Sequence, residues 1–346
     1  MRSLKKRNIH NLGKFLTNQI KFNSTVLSTK AYLKMICARR NEIVPYNYPL
    51  LIISGMQRSG TTWVTQLLSN HPSVLSYFAE LHIGKPNKYH WPSLEVYNYK
   101  ERFQRLIPRN LAYKFLSRKS NYDFIFDFSF FKKTFLNLEK YNIANTQRVT
   151  LDNFFTSYFN AYLNCNHSNF FDQYQFISAS IPGLTLYQDS LNKFIRDYPD
   201  GKILVMIREP LIWWNSARRH SKSLKTKGIE RYSASLNNSL WAIKRYPHNV
   251  FIVSFDQLVM DTKQSVDSIL SHLGIDFSEV AMYPSNFPFY GKDNSTYGHK
   301  STKVVIKDKI NRTVNIPKKE EEQINRSIYP DYKIAMDHAI NNFSRS

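Results

Sequence analysis

An apolar run of strand length, Leu50-Leu51-Ile52-Ile53, passes through the turn Gly55-Met56-Gln57-Arg58-Ser59-Gly60-Thr61-Thr62 into a segment whose Trp63, Val64, Leu67 and Leu68 share one helical face. Strand, glycine loop and helix in that order constrain the fold more than anything else in the chain. At such a helix start several backbone N–H groups lack intrahelical partners, and the aligned peptide dipoles add about half a positive charge. An anion binds there readily. Gly55 and Gly60 let the backbone turn sharply and approach a phosphate. The nucleotide-triphosphate version of this loop needs a Lys after its last Gly, but position 61 is Thr and the cation stands at Arg58. The loop is therefore equipped for a terminal phosphate and poorly equipped for a magnesium-bound triphosphate.

A second unit follows at Gly201-Lys202-Ile203-Leu204-Val205-Met206-Ile207-Arg208-Glu209-Pro210. Its unbroken, β-branched-rich run from Ile203 to Ile207 fits a strand buried on both faces, and Pro210 sits where a helix takes its first residue. Arg208 then stands at the C-terminal edge of a strand, with Ser216 about a turn and a half into the next helix. The two can converge on one anion. A surface ion pair for Arg208 and a back-bonded helical hydroxyl for Ser216 form the other reading.

Gly-x-x-Arg-Ser-Gly-Thr-Thr after a strand, joined to an Arg and a Ser eight positions apart, resembles the sulfotransferases that use 3′-phosphoadenosine 5′-phosphosulfate (PAPS). The resemblance implies that the first loop holds the 5′-phosphosulfate through Gln57, Arg58, Ser59, Gly60, Thr61, Thr62 and Trp63. Arg208 and Ser216 would hold the 3′-phosphate. It also covers Phe251-Ile252-Val253-Ser254-Phe255-Asp256-Gln257-Leu258, although Phe255 stands where many members carry a Tyr and Gln257 where they carry an Asp. The helix after it closes on Leu273-Gly274, a reasonable C-terminal cap. Lys300 and Ser301 resemble the late loop that closes over the 3′-phosphate; mobile surface loops share that composition. Before Pro182, where relatives frequently have a Lys, Ser178-Ala179-Ser180-Ile181 offers hydroxyls alone.

For the general base the resemblance points to Glu80, which follows His71-Pro72-Ser73-Val74 much as a catalytic Glu follows a comparable segment in the carbohydrate and protein-tyrosine branches. His82 and His90 are rivals, since an imidazole has a suitable unperturbed pKa and the phenol branch uses a histidine. The implied reaction is transfer of a sulfuryl group from PAPS to a hydroxyl of a glycan or glycoconjugate, without a metal.

The remaining sequence bounds this reading. With 48 Lys and Arg against 26 Asp and Glu, the net charge of +22 attracts polyanions of any kind and sets the partner class, not the reaction. Cys37 and Cys165 are the only cysteines, so no disulfide framework is expected, and a reducing, cytoplasmic compartment is the simpler expectation. The first 40 residues carry ten Lys or Arg and no acid, with apolar stretches too short for a membrane anchor. We read residues 1–48 as a basic extension, a solvated arm, with an interfacial segment in peripheral membrane contact or an organelle-targeting peptide as alternatives. Residues 49–346 are expected to form a single α/β domain: a parallel sheet flanked by helices on both faces. An aromatic-rich helical insertion would occupy about 85–170, and a loop-helix segment would end the chain. Within the domain a strand is expected at Gln175–Ala179 and a helix at Thr185–Ile195. Inside the insertion, Thr150 would cap a helix that aligns Leu151, Phe154, Phe155, Tyr158 and Tyr162, a stripe more typical of core than of an acceptor wall. A P-loop kinase or triphosphatase is a rival, with Ile125-Phe126-Asp127 mimicking its acidic strand end, but the Lys is missing. A nucleic-acid-binding module would explain the charge, yet no recognised motif emerges and no specific nucleic acid is expected.

Overall fold

A computed structural model describes residues 43–81, 83, 89–106, 128–161, 174–283 and 314–343. Its contacts separate the chain into two units, one comprising 1–47, 94–169 and 288–290, the other 48–93, 170–287 and 291–346.

The larger unit is built on five parallel strands, β1 (Leu50–Gly55), β2 (Val74–Glu80), β3 (Phe176–Ser180), β4 (Lys202–Ile207) and β5 (Val250–Ser254), in the order β2-β3-β1-β4-β5. Register follows the apolar runs: Ile53 lies opposite Ser180 on one side and Leu204 on the other, and Gly55 lies opposite Met206. Leu50 through Ile53 are all fully buried, as strands covered on both faces require. Leu51, Ile53, Leu204, Met206, Phe251 and Val253 make one face. They pack against α1 (Thr61–Leu68), α8 (Phe255–Met260) and α9 (Thr262–Leu273). Gly274, at φ 69°, closes α9 as the left-handed cap foreseen from Leu273-Gly274.

Between β3 and β5 run α5 (Gln188–Asp197), α6 (Pro210–Ala217) and α7 (Lys222–Arg245); after β5 and its helices come α10 (Lys318–Ser327) and α11 (Tyr329–Phe343). All the strand ends that carry candidate residues point to one edge of the sheet, because every pairing is parallel. Ligands of open parallel sheets bind along that edge.

The smaller unit contains α2 (Tyr99–Leu106), α3 (Phe128–Lys140) and α4 (Gln147–Asn160). Leu151, Phe154, Phe155 and Tyr158 are buried there as core, with Phe131 packed on Phe154 at 5.7 Å between ring centroids. Tyr162 lies outside the described residues. Arg102 and Glu139, both buried, pair at 2.8 Å. The pair is satisfied further by Thr150, Asn153 and the carbonyls of Leu94 and Tyr97, as a buried charge requires.

Several local expectations shift. The cap of α4 is Thr146, whose hydroxyl accepts from the Val149 N–H at 3.3 Å; Thr150 is a buried interior residue spent on Glu139. A Ser or Thr side chain four positions apart satisfies the sequence pattern equally well, and tertiary contacts choose between them. The strand expected at Gln175–Ala179 is displaced by one residue. The helix expected over Thr185–Ile195 divides into a short 3₁₀ turn, Leu184–Leu186, and α5, since Tyr187 is extended. The strand read through Phe255 ends at Ser254, because the Ser254 hydroxyl accepts from the Gln257 N–H and starts α8.

Candidate functional site

Gly55, Arg58 and Gly60 all have positive φ, at 122°, 77° and 96°. Glycine takes such angles freely; arginine pays of order 1 kcal/mol or more, so its neighbours must hold it there. They do. The Arg58 carbonyl accepts from Nη1 of Arg208 at 3.1 Å, and Arg58 Nε donates to the Ser216 hydroxyl at 3.1 Å. Immediately before it, the Gln57 carbonyl accepts from Nε1 of Trp213 at 2.9 Å, and the Gln57 amide donates to the Tyr89 hydroxyl.

The loop after β1 and the residues after β4 therefore form one constellation. Arg208 and Ser216 do not hydrogen-bond each other directly; both meet Arg58. Arg208 is 8% exposed, which excludes the surface ion pair. Its main chain is bracketed by Tyr232, whose hydroxyl accepts from the Arg208 N–H at 3.0 Å and donates to the Arg208 carbonyl. Burial holds the Tyr232 hydroxyl far above the usual phenol range, so it remains a neutral donor.

Phe255 supplies a wall. Its ring lies 4.7 Å from the Arg208 guanidinium carbon and edge-on to Trp63 at 5.8 Å. A methyl group added at Gly60 would lie 2.2 Å from Phe255 Cδ2, so this glycine is required by close approach as well as by φ. α1 begins at Gly60 with no side-chain cap, and Thr61 is buried at its first position, with Thr62 exposed beside it. Ser59 is buried too.

Two acids stand behind Arg208. Glu209 caps α6, its carboxylate accepting from the Ile212 N–H at 2.6 Å, while its own N–H donates to Asp256 Oδ2 at 2.8 Å. Burial raises the Asp256 pKa; the Glu209 N–H and the Arg208 charge work against that rise.

On the other side of β1, Glu80 ends β2 opposite Ser180, and the Leu81 N–H bonds the Ser180 carbonyl at 2.8 Å. The turn after β3 is fastened to the loop strand, since the Gly183 N–H donates to the Gly55 carbonyl at 2.8 Å. With β3 between β2 and β1, Glu80 is two strand spacings from the loop strand, on the order of 10 Å. The Ser178 hydroxyl is spent on Ser76 at 2.6 Å. His90 packs its ring on Tyr187 at 3.9 Å. His82, Lys300, Ser301 and Asp127 lie outside the described residues.

Chemically the constellation suits a phosphate. Arg208 Nε, the Ser59 hydroxyl and the Gln57 amide oxygen are buried with no hydrogen-bond partner among the described residues, although buried polar atoms are normally paired. Arg208 Nε and the Ser59 hydroxyl are donors, and Ser59 directly precedes the Gly60 N-cap of a helix start that favours anions. Among the described residues no group of three or more His, Cys, Asp or Glu side chains is placed to hold a metal ion, and no helix is long and apolar enough to cross a membrane.

Sequence reasoning missed Trp213, Tyr232 and Asp256. Trp213 and Tyr232 read as ordinary helical core residues, and nothing in their spacing reveals that their polar atoms are spent on the backbone of Gln57 and Arg208.

The model of the sulfotransferase family matches residues 49–279, two thirds of the chain. No curated protein matches significantly. Among solved structures, the sulfotransferase domain of the curacin biosynthetic pathway is 15% identical and is similar over 84% of this chain and 97% of its own, with a TM-score of 0.47. The sulfotransferase domain of the Synechococcus PCC 7002 olefin synthase is 17% identical over 87% and 98%, with a TM-score of 0.49. A sulfotransferase from Alicyclobacillus acidocaldarius is 16% identical over 85% and 96%, with a TM-score of 0.43.

Proposed function

From the premise that this chain belongs to the sulfotransferase family, we propose that it moves a sulfuryl group from PAPS to an acceptor hydroxyl, in a glycan or glycoconjugate. One observation carries the reading of the donor site. Arg208 and Arg58, from the turns after adjacent strands β4 and β1, are joined by hydrogen bonds to each other and to Ser216 of α6 in a single cationic cradle.

In this reading the loop amides, Ser59, Thr61 and Thr62 hold the 5′ end of the donor, with Gln57 and Gly60 shaping the turn. Arg208 and Ser216 hold the 3′-phosphate. Trp63 and Phe255 provide the aromatic surface beside them. When bound, PAPS supplies an activated sulfuryl group on a phosphate leaving oxygen. To Arg58, whose backbone is strained at φ 77° and whose Nε donates to Ser216, we assign the stabilisation of negative charge that develops on the leaving oxygen. With Ser178 committed to Ser76 and no Lys in that stretch, Arg58 carries this burden without help from β3. Glu80, at the end of β2, takes the proton from the acceptor hydroxyl. His82 is the second choice for that role, and Lys300 and Ser301 are proposed to close over the 3′-phosphate.

The glycan assignment is supported by the placement of Glu80 after the His71-Pro72 segment and by a net charge of +22, which suits an anionic glycan. Two cysteines in 346 residues support a reducing, cytoplasmic setting.

A melting experiment tests the donor site. Adenosine 3′,5′-bisphosphate at 100 times its dissociation constant is expected to stabilise the protein by about 2.7 kcal/mol, whereas ATP with magnesium at the same concentration gives little. A shift from ATP–magnesium with none from the bisphosphate would sink the proposal and revive the triphosphatase reading. For the base, Glu80→Gln is expected to lower turnover of radiolabelled PAPS roughly 10²- to 10⁴-fold while bisphosphate affinity is retained. Unchanged turnover moves the role to a histidine.

A further inference from the structure

The family match ends at residue 279, and α10 and α11 lie beyond it. Both are nevertheless fastened to the helix that follows Arg208. Tyr329, the first residue of α11, donates its hydroxyl to Oε1 of Glu209. Glu320, in the first turn of α10, accepts from the Trp214 indole at 2.6 Å and faces Arg218 Nη1 at 3.5 Å. Arg218 also donates to the Asn315 carbonyl, just ahead of α10.

These ties fall at both ends of α6. Glu209 is its N-cap, adjacent to Arg208; Arg218 is its C-cap, two residues past Ser216. Trp213, between them, bonds the Gln57 carbonyl in the loop. The position and pitch of α6 thus decide where the Ser216 hydroxyl and the Arg208 side chain stand relative to Arg58.

Charge gives the tyrosine a second purpose. Glu209 directly follows Arg208, whose guanidinium Nε has no partner among the described residues. Two donors, the Ile212 N–H and the Tyr329 hydroxyl, occupy the Glu209 carboxylate. Burial and the Glu209 contact together hold the Tyr329 hydroxyl above the usual phenol range, so it stays a donor at neutral pH.

We propose that the C-terminal helix pair is a working part of the donor site, with Tyr329 and Glu320 as positioning residues for the 3′-phosphate cradle of Arg208 and Ser216. The inference rests on the donor-site reading above. Without the Tyr329 hydroxyl, Glu209 turns to the adjacent guanidinium, and the cradle is partly filled by the protein's own carboxylate. Without Glu320, the C-terminal end of α6 loses its anchor and Ser216 drifts from Arg58.

The test compares two ligands that differ in the 3′-phosphate: adenosine 3′,5′-bisphosphate and adenosine 5′-monophosphate, titrated calorimetrically into the full-length protein. Tyr329→Phe is expected to weaken the bisphosphate about tenfold and to change the monophosphate less than about twofold. Glu320→Gln, which keeps an acceptor for Trp214 and loses the charge facing Arg218, is expected to show the same selectivity at about threefold. Equal losses for both ligands mean a general structural role and overturn the proposal, as does an unchanged bisphosphate affinity. If Tyr329→Phe melts below the assay temperature, Glu320→Gln decides alone. A wild-type protein that binds neither ligand fails at the donor site itself, a result distinct from the loss of selectivity in the variants.

Discussion

Arg208→Ala is expected to abolish stabilisation by adenosine 3′,5′-bisphosphate and to weaken its binding by about 3 to 5 kcal/mol, roughly 150- to 5,000-fold. Two losses combine. The substitution removes a buried guanidinium whose charge-assisted bonds to a phosphate are worth about 1.5 to 3 kcal/mol each. It also removes the Nη1 bond to the Arg58 carbonyl, one of the contacts that keep Arg58 at φ 77°. The fold should survive, because Tyr232 grips the main chain of residue 208 and that grip does not depend on the side chain. Arg208→Lys keeps the charge and loses the planar fork, so an intermediate loss of about tenfold is expected. Titration calorimetry with a circular-dichroism check of folding decides the matter. An alanine variant that binds like wild type would remove position 208 from the donor site.

Gly55→Ala is expected to be the most damaging single change to stability, at about 3 to 5 kcal/mol and a fall of roughly 4 to 7 °C in Tm. The added Cβ would lie 2.3 Å from the Met206 carbonyl oxygen, and φ is 122°, outside the range an L-residue adopts without strain. Met206 is a backbone neighbour in β4, registered opposite Gly55, so it cannot yield without breaking the strand pairing. Gly274→Ala is the control. It also has positive φ, at 69°, but nothing lies within 4 Å of its added Cβ. It should cost only about 1 kcal/mol, the conformational share without the clash. Thermal unfolding of the two variants side by side separates the effects; equal losses would show that the contact with Met206 is relieved.

Both predictions begin at glycines or cations visible in the sequence, yet their size comes from what the fold places against them. The strand-loop-helix at 50–68 and the strand before Arg208 were legible because burial on both faces leaves an unbroken apolar run, and an uncapped helix start leaves a glycine turn. The expected parallel sheet, with helices on both faces, followed from alternation of these units. Element ends were less legible. Thr146 and Thr150 are both plausible caps by residue type, and Ser254 ended a strand that Phe255 could have continued.

Pairings across the chain were not legible at all. Arg58 and Ser216 are 158 positions apart, Gln57 and Trp213 156, and Glu209 and Tyr329 120. A tryptophan that packs and a tryptophan that packs while bonding a loop carbonyl have the same helical periodicity.

By itself, then, the sequence determined the local conformations and the chemistry on offer: glycine freedom, helix-start polarity, hydrophobic period and cation identity are properties of neighbouring residues. The tertiary structure alone decided that Arg208 and Ser216 both meet Arg58, that Tyr232 fixes the Arg208 backbone, and that the C-terminal helices grip α6 at either end. The physical reason is strand order. In β2-β3-β1-β4-β5 the loop after β1 lies beside the turns after β3 and β4, and that adjacency depends on how complete helical layers pack on the sheet, which no short stretch of residues specifies.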